Sequence, residues 1–145
     1  MTALTADAAR RTRNRGNKDT FSAPVATSST IYVGSHCVFA ANGRVRALQA
    51  ATVNVYYAGM SETQVTGNAG GTVYATLSSG YEVLCNTGSD LAGEVRQNAA
   101  LQDDDTVTFL SDAGSAGLQI VVGAITERVS ATTAWVALHK FTSET

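Results

Sequence analysis

Residues 37–48, CVFAANGRVRAL, place Asn42-Gly43 between two runs that suit β-strands. Asn-Gly readily takes the positive φ angles of a type I′ turn, so the stretch reads as a β-hairpin. Working outward, the same period of two continues. In 52–57, TVNVYY, Val53, Val55 and Tyr57 share one face and Thr52, Asn54 and Tyr56 the other. In 72–77, TVYATL, Val73, Ala75 and Leu77 oppose Thr72, Tyr74 and Thr76. YEVLC follows at 81–85 as a further strand, and Thr30–Val33 precedes the hairpin. Alternation is lost between Asn86 and Asp105, a stretch compatible with a helical turn or an irregular loop. It resumes in TVTFL (106–110), LQIVVG (118–123), AITERVS (124–130) and TAWVALH (133–139). In the last of these Ala134, Val136 and Leu138 oppose Trp135, Ala137 and His139.

About eight to ten short strands separated by turn residues predict an all-β fold, a compact β-sandwich or β-barrel. At 145 residues the chain fits one domain that can bury a core without disulfide or metal staples. No run approaches the length of apolar residues that spans a membrane, and no export signal is expected. Cys37 and Cys85 form no disulfide or zinc framework and read as reduced core thiols.

Charge divides the chain. Residues 1–22 carry Arg10, Arg11, Arg13, Arg15 and Lys18 against Asp7 and Asp19, a balance of +3, whereas the other 123 residues carry five basic and ten acidic groups. Between Leu4 and Phe21 there is almost no large apolar side chain, so the stretch is expected to be a flexible basic arm, with a β-rich domain over 23–145. Pro24 falls at the junction. The arm lacks aromatic residues for base stacking and the body is acidic, which favours an acidic groove on a protein over nucleic acid as its partner. Only 15% of the residues are charged, and a surface of neutral groups suits contact with neighbouring subunits. Among the aromatics, Tyr56 and Tyr74 lie on the polar faces of their strands and are the candidate interface residues.

Common catalytic motifs are absent, so no enzymatic activity and no cofactor are expected. His36 and His139 read as ordinary core or surface histidines. Asp103-Asp104-Asp105 lacks the alternate spacing that converges on calcium and reads as a solvated turn before a strand.

The run NAALQDDDTVTFLSDAG (98–114), then VVGAITERVSATTAWVALHK (121–140), with the hairpin VFAANGRVRALQA and TVNVYYAG before them, resembles the small capsid decoration proteins of tailed bacteriophages. The likeness covers about 100 residues and excludes the arm. It implies a β-rich homotrimer, made in the host cytoplasm, on the outer capsid surface of a virion, clamping neighbouring major capsid subunits. In that setting Arg10, Arg11, Arg13, Arg15 and Lys18 would reach an adjacent capsid subunit. Other virion components, such as head-completion or tail proteins, and a carbohydrate-binding β-sandwich are the alternative readings.

Overall fold

The computed structural model describes residues 4, 6–8, 10–40, 42–47, 56–93, 95–101, 105–109 and 120–139. Those residues are all-β, with thirteen strands and one 3-10 turn at Arg15–Asn17. In chain order the strands are β1 (Thr12–Arg13), β2 (Asp19–Pro24), β3 (Thr30–Ile31), β4 (His36–Phe39), β5 (Val45–Ala47), β6 (Tyr56–Ser61) and β7 (Val65–Thr66). They continue with β8 (Tyr74–Ser79), β9 (Glu82–Thr87), β10 (Asn98–Leu101), β11 (Thr106–Phe109), β12 (Val121–Ser130) and β13 (Thr133–Leu138).

Five strands close a small barrel. β9 pairs antiparallel with β13, β13 with β12, β12 with β10 and β10 with β11, and β11 returns to β9 in parallel. The closing seam is short, with only Thr106↔Asn86 and Val107↔Thr87 in register. β1 takes the remainder of that edge of β9, through Thr12↔Val83 and Arg13↔Glu82. Alternation puts Val83, Cys85, Val107, Ile125, Ala134 and Val136 inside, each almost fully buried.

A second sheet runs β2-β8-β6-β4-β5, antiparallel throughout. Its two edges approach one another where Val25 bridges Val45. One face encloses a separate core of Val25, Ile31, Cys37, Val45, Ala58 and Leu77, against which the stacked rings of Phe21 and Phe39 pack with centroids 5.9 Å apart. The other face sends Val38, Tyr57 and Met60 into the barrel's core. β4 and β6 therefore form a shared wall, apolar on both sides. A bulge between Cys37 and Val38 lets the alternation serve both cores.

Several expectations are corrected. The Asn42-Gly43 hairpin forms, with Phe39↔Val45 in register, but its turn is not type I′. Of the described loop residues, Gly43 alone adopts positive φ (79°), its N–H donates to the Ala40 carbonyl, and the Asn42 side chain accepts from the Arg44 N–H. The asparagine thus caps the loop through its side chain and has no need of the left-handed region. Asn98–Leu101, expected to be loop or helical turn, is β10, an interior strand flanked by β11 and β12. Its small residues Ala99 and Ala100 are fully buried, where close strand packing favours them over the large residues that signal a strand. LQIVVG and AITERVS contribute to one ten-residue strand, Val121–Ser130, because bulges after Ile125 and Arg128 bend it without ending it. The boundary expected after residue 22 falls inside β2, which pairs with β8 from Asp19↔Ser79 to Pro24↔Tyr74. Pro24 is tolerated because β2 is an edge strand. Residues 52–55 of TVNVYY lie outside the described residues.

Gly123 provides a test of the barrel's tight β12/β13 packing. A Cβ there would meet the Ala137 carbonyl oxygen at 1.7 Å, a backbone atom that cannot move aside alone. Gly43, with open space around it, suffers only the strain of its positive φ. Gly123→Ala should lower unfolding stability by about 3 kcal/mol and Gly43→Ala by about 1 kcal/mol, measured by denaturant titration; equal losses would contradict the packing described.

Candidate functional site

Four basic residues of the N-terminal stretch, Arg10, Arg13, Arg15 and Lys18, converge on carboxylates of the same chain. Arg10 pairs with Asp105 at the start of β11 and also donates to the Gly34 carbonyl, its Nε at 3.2 Å and Nη2 at 3.1 Å. Upstream, the Ala8 N–H donates to Val33 O (2.8 Å) and Val33 N–H to the Asp7 carboxylate (2.9 Å). The Arg11 carbonyl accepts from the Leu84 N–H at 2.9 Å, adding a main-chain bond to the β1–β9 ladder.

Arg13 is the centre of the arrangement. Its Nε and Nη2 lie 3.1 and 3.0 Å from Glu82 Oε1, and Nη1 lies 2.9 Å from Glu127 Oε1. The guanidinium stands 4.2 Å from the centroid of the Trp135 ring, and Arg11 lies 5.9 Å from the same ring. Strand register explains the convergence. Leu84↔Trp135 and Glu127↔Trp135 put Trp135 and Glu127 on the outer face of the barrel, and Glu82, two residues from Leu84, shares that face. A side chain rising from β1 therefore crosses β9 and reaches β13 and β12.

Glu82 is the acceptor hub. Burial opposes its charge, but hydrogen bonds from Thr126, Asn14 and Arg13 outweigh burial and hold its carboxyl below the ordinary glutamate value. Farther along, Arg15 (4.0 Å) and Lys18 pair with the more exposed Glu62, and both cations sit over Tyr81 at 5.3 and 5.8 Å. The segment also borders a cleft of about 220 Å³ lined by Arg10, Arg15, Met60, Glu62 and Tyr81 among others. That volume falls below the 300 Å³ or so at which small-molecule sites begin.

Behind the segment lies a buried polar chain. His36 Nδ1 is 2.9 Å from the Tyr57 hydroxyl and Nε2 is 3.9 Å from Cys85 Sγ, while the Tyr81 hydroxyl bonds Ser78 at 2.6 Å. Burial, reinforced by the nearby Arg10 charge, pushes the His36 imidazolium down to about 3, and burial pushes the Cys85 thiol up to about 12. Both groups are neutral near pH 7, so the pair holds neither the thiolate nor the imidazolium that nucleophilic chemistry uses. The sequence places no cysteine at ligand spacing from His36, its neighbour Cys37 being adjacent in the chain; the fold brings Cys85 of β9 to it instead. His139 is exposed. Both cysteines are buried and free. Among the described residues no cluster of three or more His, Cys, Asp or Glu could hold a metal ion, and no helix is long and apolar enough to cross a membrane.

No protein-family model matches the chain, and no curated protein matches it.

The expected flexible arm is thus corrected for its described part: residues 10–18 are laid along the body, and Arg10, Arg13, Arg15 and Lys18 are ion-paired within the chain. The reason is local, since the body's own carboxylates Asp105, Glu82, Glu127 and Glu62 line the track beside the gap in the barrel. Glu82 carried a signal in the sequence, as a lone carboxylate inside the apolar run YEVLC requires a partner. Asp105 is anchored by Arg10, whereas Asp103 and Asp104 lie outside the described residues. Tyr56 and Tyr74 are each about half exposed (49% and 55%), but they are not brought together. β6 and β8 run antiparallel with Met60↔Ser78 in register, so the two rings stand at opposite ends of the sheet.

Replacing Glu82 with Gln keeps its shape and removes the charge that holds Arg13. Trypsin cleavage at Arg10–Lys18 should quicken on the order of tenfold, as expected from losing one charge-assisted contact; unchanged cleavage would show that the segment is held elsewhere. Acid should act twice. The unfolded chain protonates His36 below about 6.5 while the folded chain resists until about 3. Stability contributed by the neutral imidazole is therefore whole above 6.5 and falls with pH, at about 1.4 kcal/mol per pH unit. His36→Gln should flatten that slope in denaturation midpoints measured from pH 7 to 4. Glu82, with its folded value depressed, stabilises the docked segment above its ordinary value of 4.5 and loses hold as pH falls further.

Proposed function

We propose that the chain is a structural virion protein that decorates the outside of a phage head, binds its own copies as a trimer and clamps neighbouring major capsid subunits. The observation that carries this reading is the placement of Tyr56 and Tyr74. A clamp must touch at least two neighbours, and here two exposed rings stand at opposite ends of one rigid sheet that is packed on both faces. Amphipathic rings anchored on strands give contact area at little cost in ordering. The likeness of residues 98–114 and 121–140 to capsid decoration proteins supports the same reading, as does a surface poor in charge.

In this reading the work of attachment falls to the body rather than to the arm. With Arg10 and Arg13 engaged by Asp105, Glu82 and Glu127, body surface rather than free arginine makes the contacts with the shell. The buried His36–Cys85 pair, neutral on both sides, contributes packing and hydrogen bonding. A carbohydrate-binding sandwich wants aromatics gathered on one face, an arrangement that the two separated tyrosines do not make.

Co-sedimentation with expanded phage heads and electron microscopy of the pellet test the proposal. The wild-type chain should coat the shell in many symmetry-related copies, and Tyr56→Ser with Tyr74→Ser should strip most of the protein from heads while changing its unfolding free energy by no more than about 0.5 kcal/mol. Density at a single vertex would instead indicate a head-completion protein. A deletion must stop before Asp19, since removing residues 2–22 would also take four residues of β2.

A further inference from the structure

The edge of β9 is a template that needs an occupant. β11 covers it only at Asn86 and Thr87, and β1 with the Arg11 carbonyl covers it from Glu82 to Leu84. Without the N-terminal segment the barrel would present open main-chain donors and acceptors beside a ring, Trp135, and two carboxylates, Glu82 and Glu127. The slot therefore selects an extended peptide with an arginine at the position of Arg13. The chain itself carries such a peptide.

We propose that this slot is an exchange site between copies of the chain, in which the segment Arg10–Arg13 of one copy occupies the β9 edge of another. Three observations favour a second copy as the occupant. Apart from the bond that the Thr12 hydroxyl accepts from Arg15 Nη1, the contacts that recognise residues 10–13 lie on the body side, at Gly34, Glu82, Leu84, Asp105, Glu127 and Trp135, so those contacts form whichever copy supplies the segment. The connection from β1 to β2 is only residues 14–18, contains Asn14 in the left-handed region (φ 56°, ψ 48°), and is held by the partly exposed pairs of Arg15 and Lys18 with Glu62. Short, strained connections are the hinges that open when elements exchange between protomers. Finally, residues 23–145 carry five basic groups against ten acidic ones, so two bodies repel unless something neutralises the facing carboxylates, and a crossing segment does so. Exchange would join copies through main-chain bonds and ion pairs already present, with no new interface chemistry. It is independent of the virion reading, since it concerns the isolated chain in solution.

Arg13 and Glu82 are register partners, which allows a direct test with full-length protein. Arg13→Cys protein and isotope-labelled Glu82→Cys protein are mixed, incubated and oxidised mildly, and the products are read by non-reducing gel and peptide mass mapping. A disulfide between positions 13 and 82 of different chains can form only when one copy's segment lies in the other's slot. The expected result is that this linked heterodimer takes up most of the Glu82→Cys chains and increases with protein concentration. The double variant carrying both cysteines shows that the slot still folds and is filled, by forming the 13–82 disulfide within or between chains. If the double variant links only within single chains and the mixture yields no 13–82 heterodimer, or only 13–13 and 82–82 products, exchange is excluded. Failure of this test would leave binding to phage heads untouched, and failure of head binding would leave the exchange intact.

Discussion

The structure depends on how the barrel closes between β9 and β11. A five-stranded barrel has little room to adjust strand tilt, and here the parallel seam makes only two register pairs before the strands diverge. The rest of the β9 edge would face solvent with unpaired amides, at a cost of about 1–3 kcal/mol for each that became buried without a partner. β1 fills that place, and its Arg13 ties the filler to β9, β12 and β13 together through Glu82, Glu127 and Trp135. A segment that sequence composition assigns to solvent is in this way the last stave of the barrel.

The second constraint is the shared wall. β4 and β6 contribute to both cores, with Val38, Tyr57 and Met60 on the barrel side and Cys37 and Ala58 on the other. Such a wall cannot alternate polar with apolar residues, and its one buried histidine is accommodated by a hydroxyl on one ring nitrogen and a thiol near the other. The arrangement couples the cores: a change in the wall is felt on both sides, whereas changes on β5 or β13 reach only one.

Period-two patterning made most of this readable in advance where strands have one buried face. In β8 and β13 the inner faces fall as the alternation says, with Ala75 and Leu77, and Ala134, Val136 and Leu138, buried, and Tyr74 exposed, whereas Trp135 on the outer face of β13 is also buried, with Arg11 and Arg13 over its ring. The patterning fails where its premise fails. Asn98–Leu101 is an interior stave of the barrel whose only large apolar residue is Leu101, so no alternation marks it, and β1 is two residues long and held by side chains far away in sequence. The ion-pair track was hidden for the same reason. Arg10 and Asp105 are 95 positions apart, Arg13 and Glu127 114, and only the strand register brings them together. What composition did expose was the imbalance itself, a basic terminus and an acidic remainder, without the geometry that lets one neutralise the other internally.

The two halves of the track differ in their exposure to water, and that difference sets how the segment opens. The Arg10 side chain is 9% exposed and Arg13 one-third exposed, whereas Arg15 is nearly half exposed and its partner Glu62 about one-third. Salt at physiological strength screens charges over about 8 Å in water but acts far less on covered pairs. Rising ionic strength therefore loosens the Arg15–Glu62 pair and the outer Arg13–Glu127 contact before the covered Arg10–Asp105 pair, so the hold of Arg15 on the connection at residues 14–18 weakens while Arg10 remains seated. A hinge that releases before its strand is the order of events that exchange requires, because the strand stays protected until a second slot is within reach. The reverse order, with the strand leaving first, would expose the β9 edge and Trp135 to unrelated chains. The distribution of burial along one short basic stretch thus separates mobility at the hinge from fidelity at the slot.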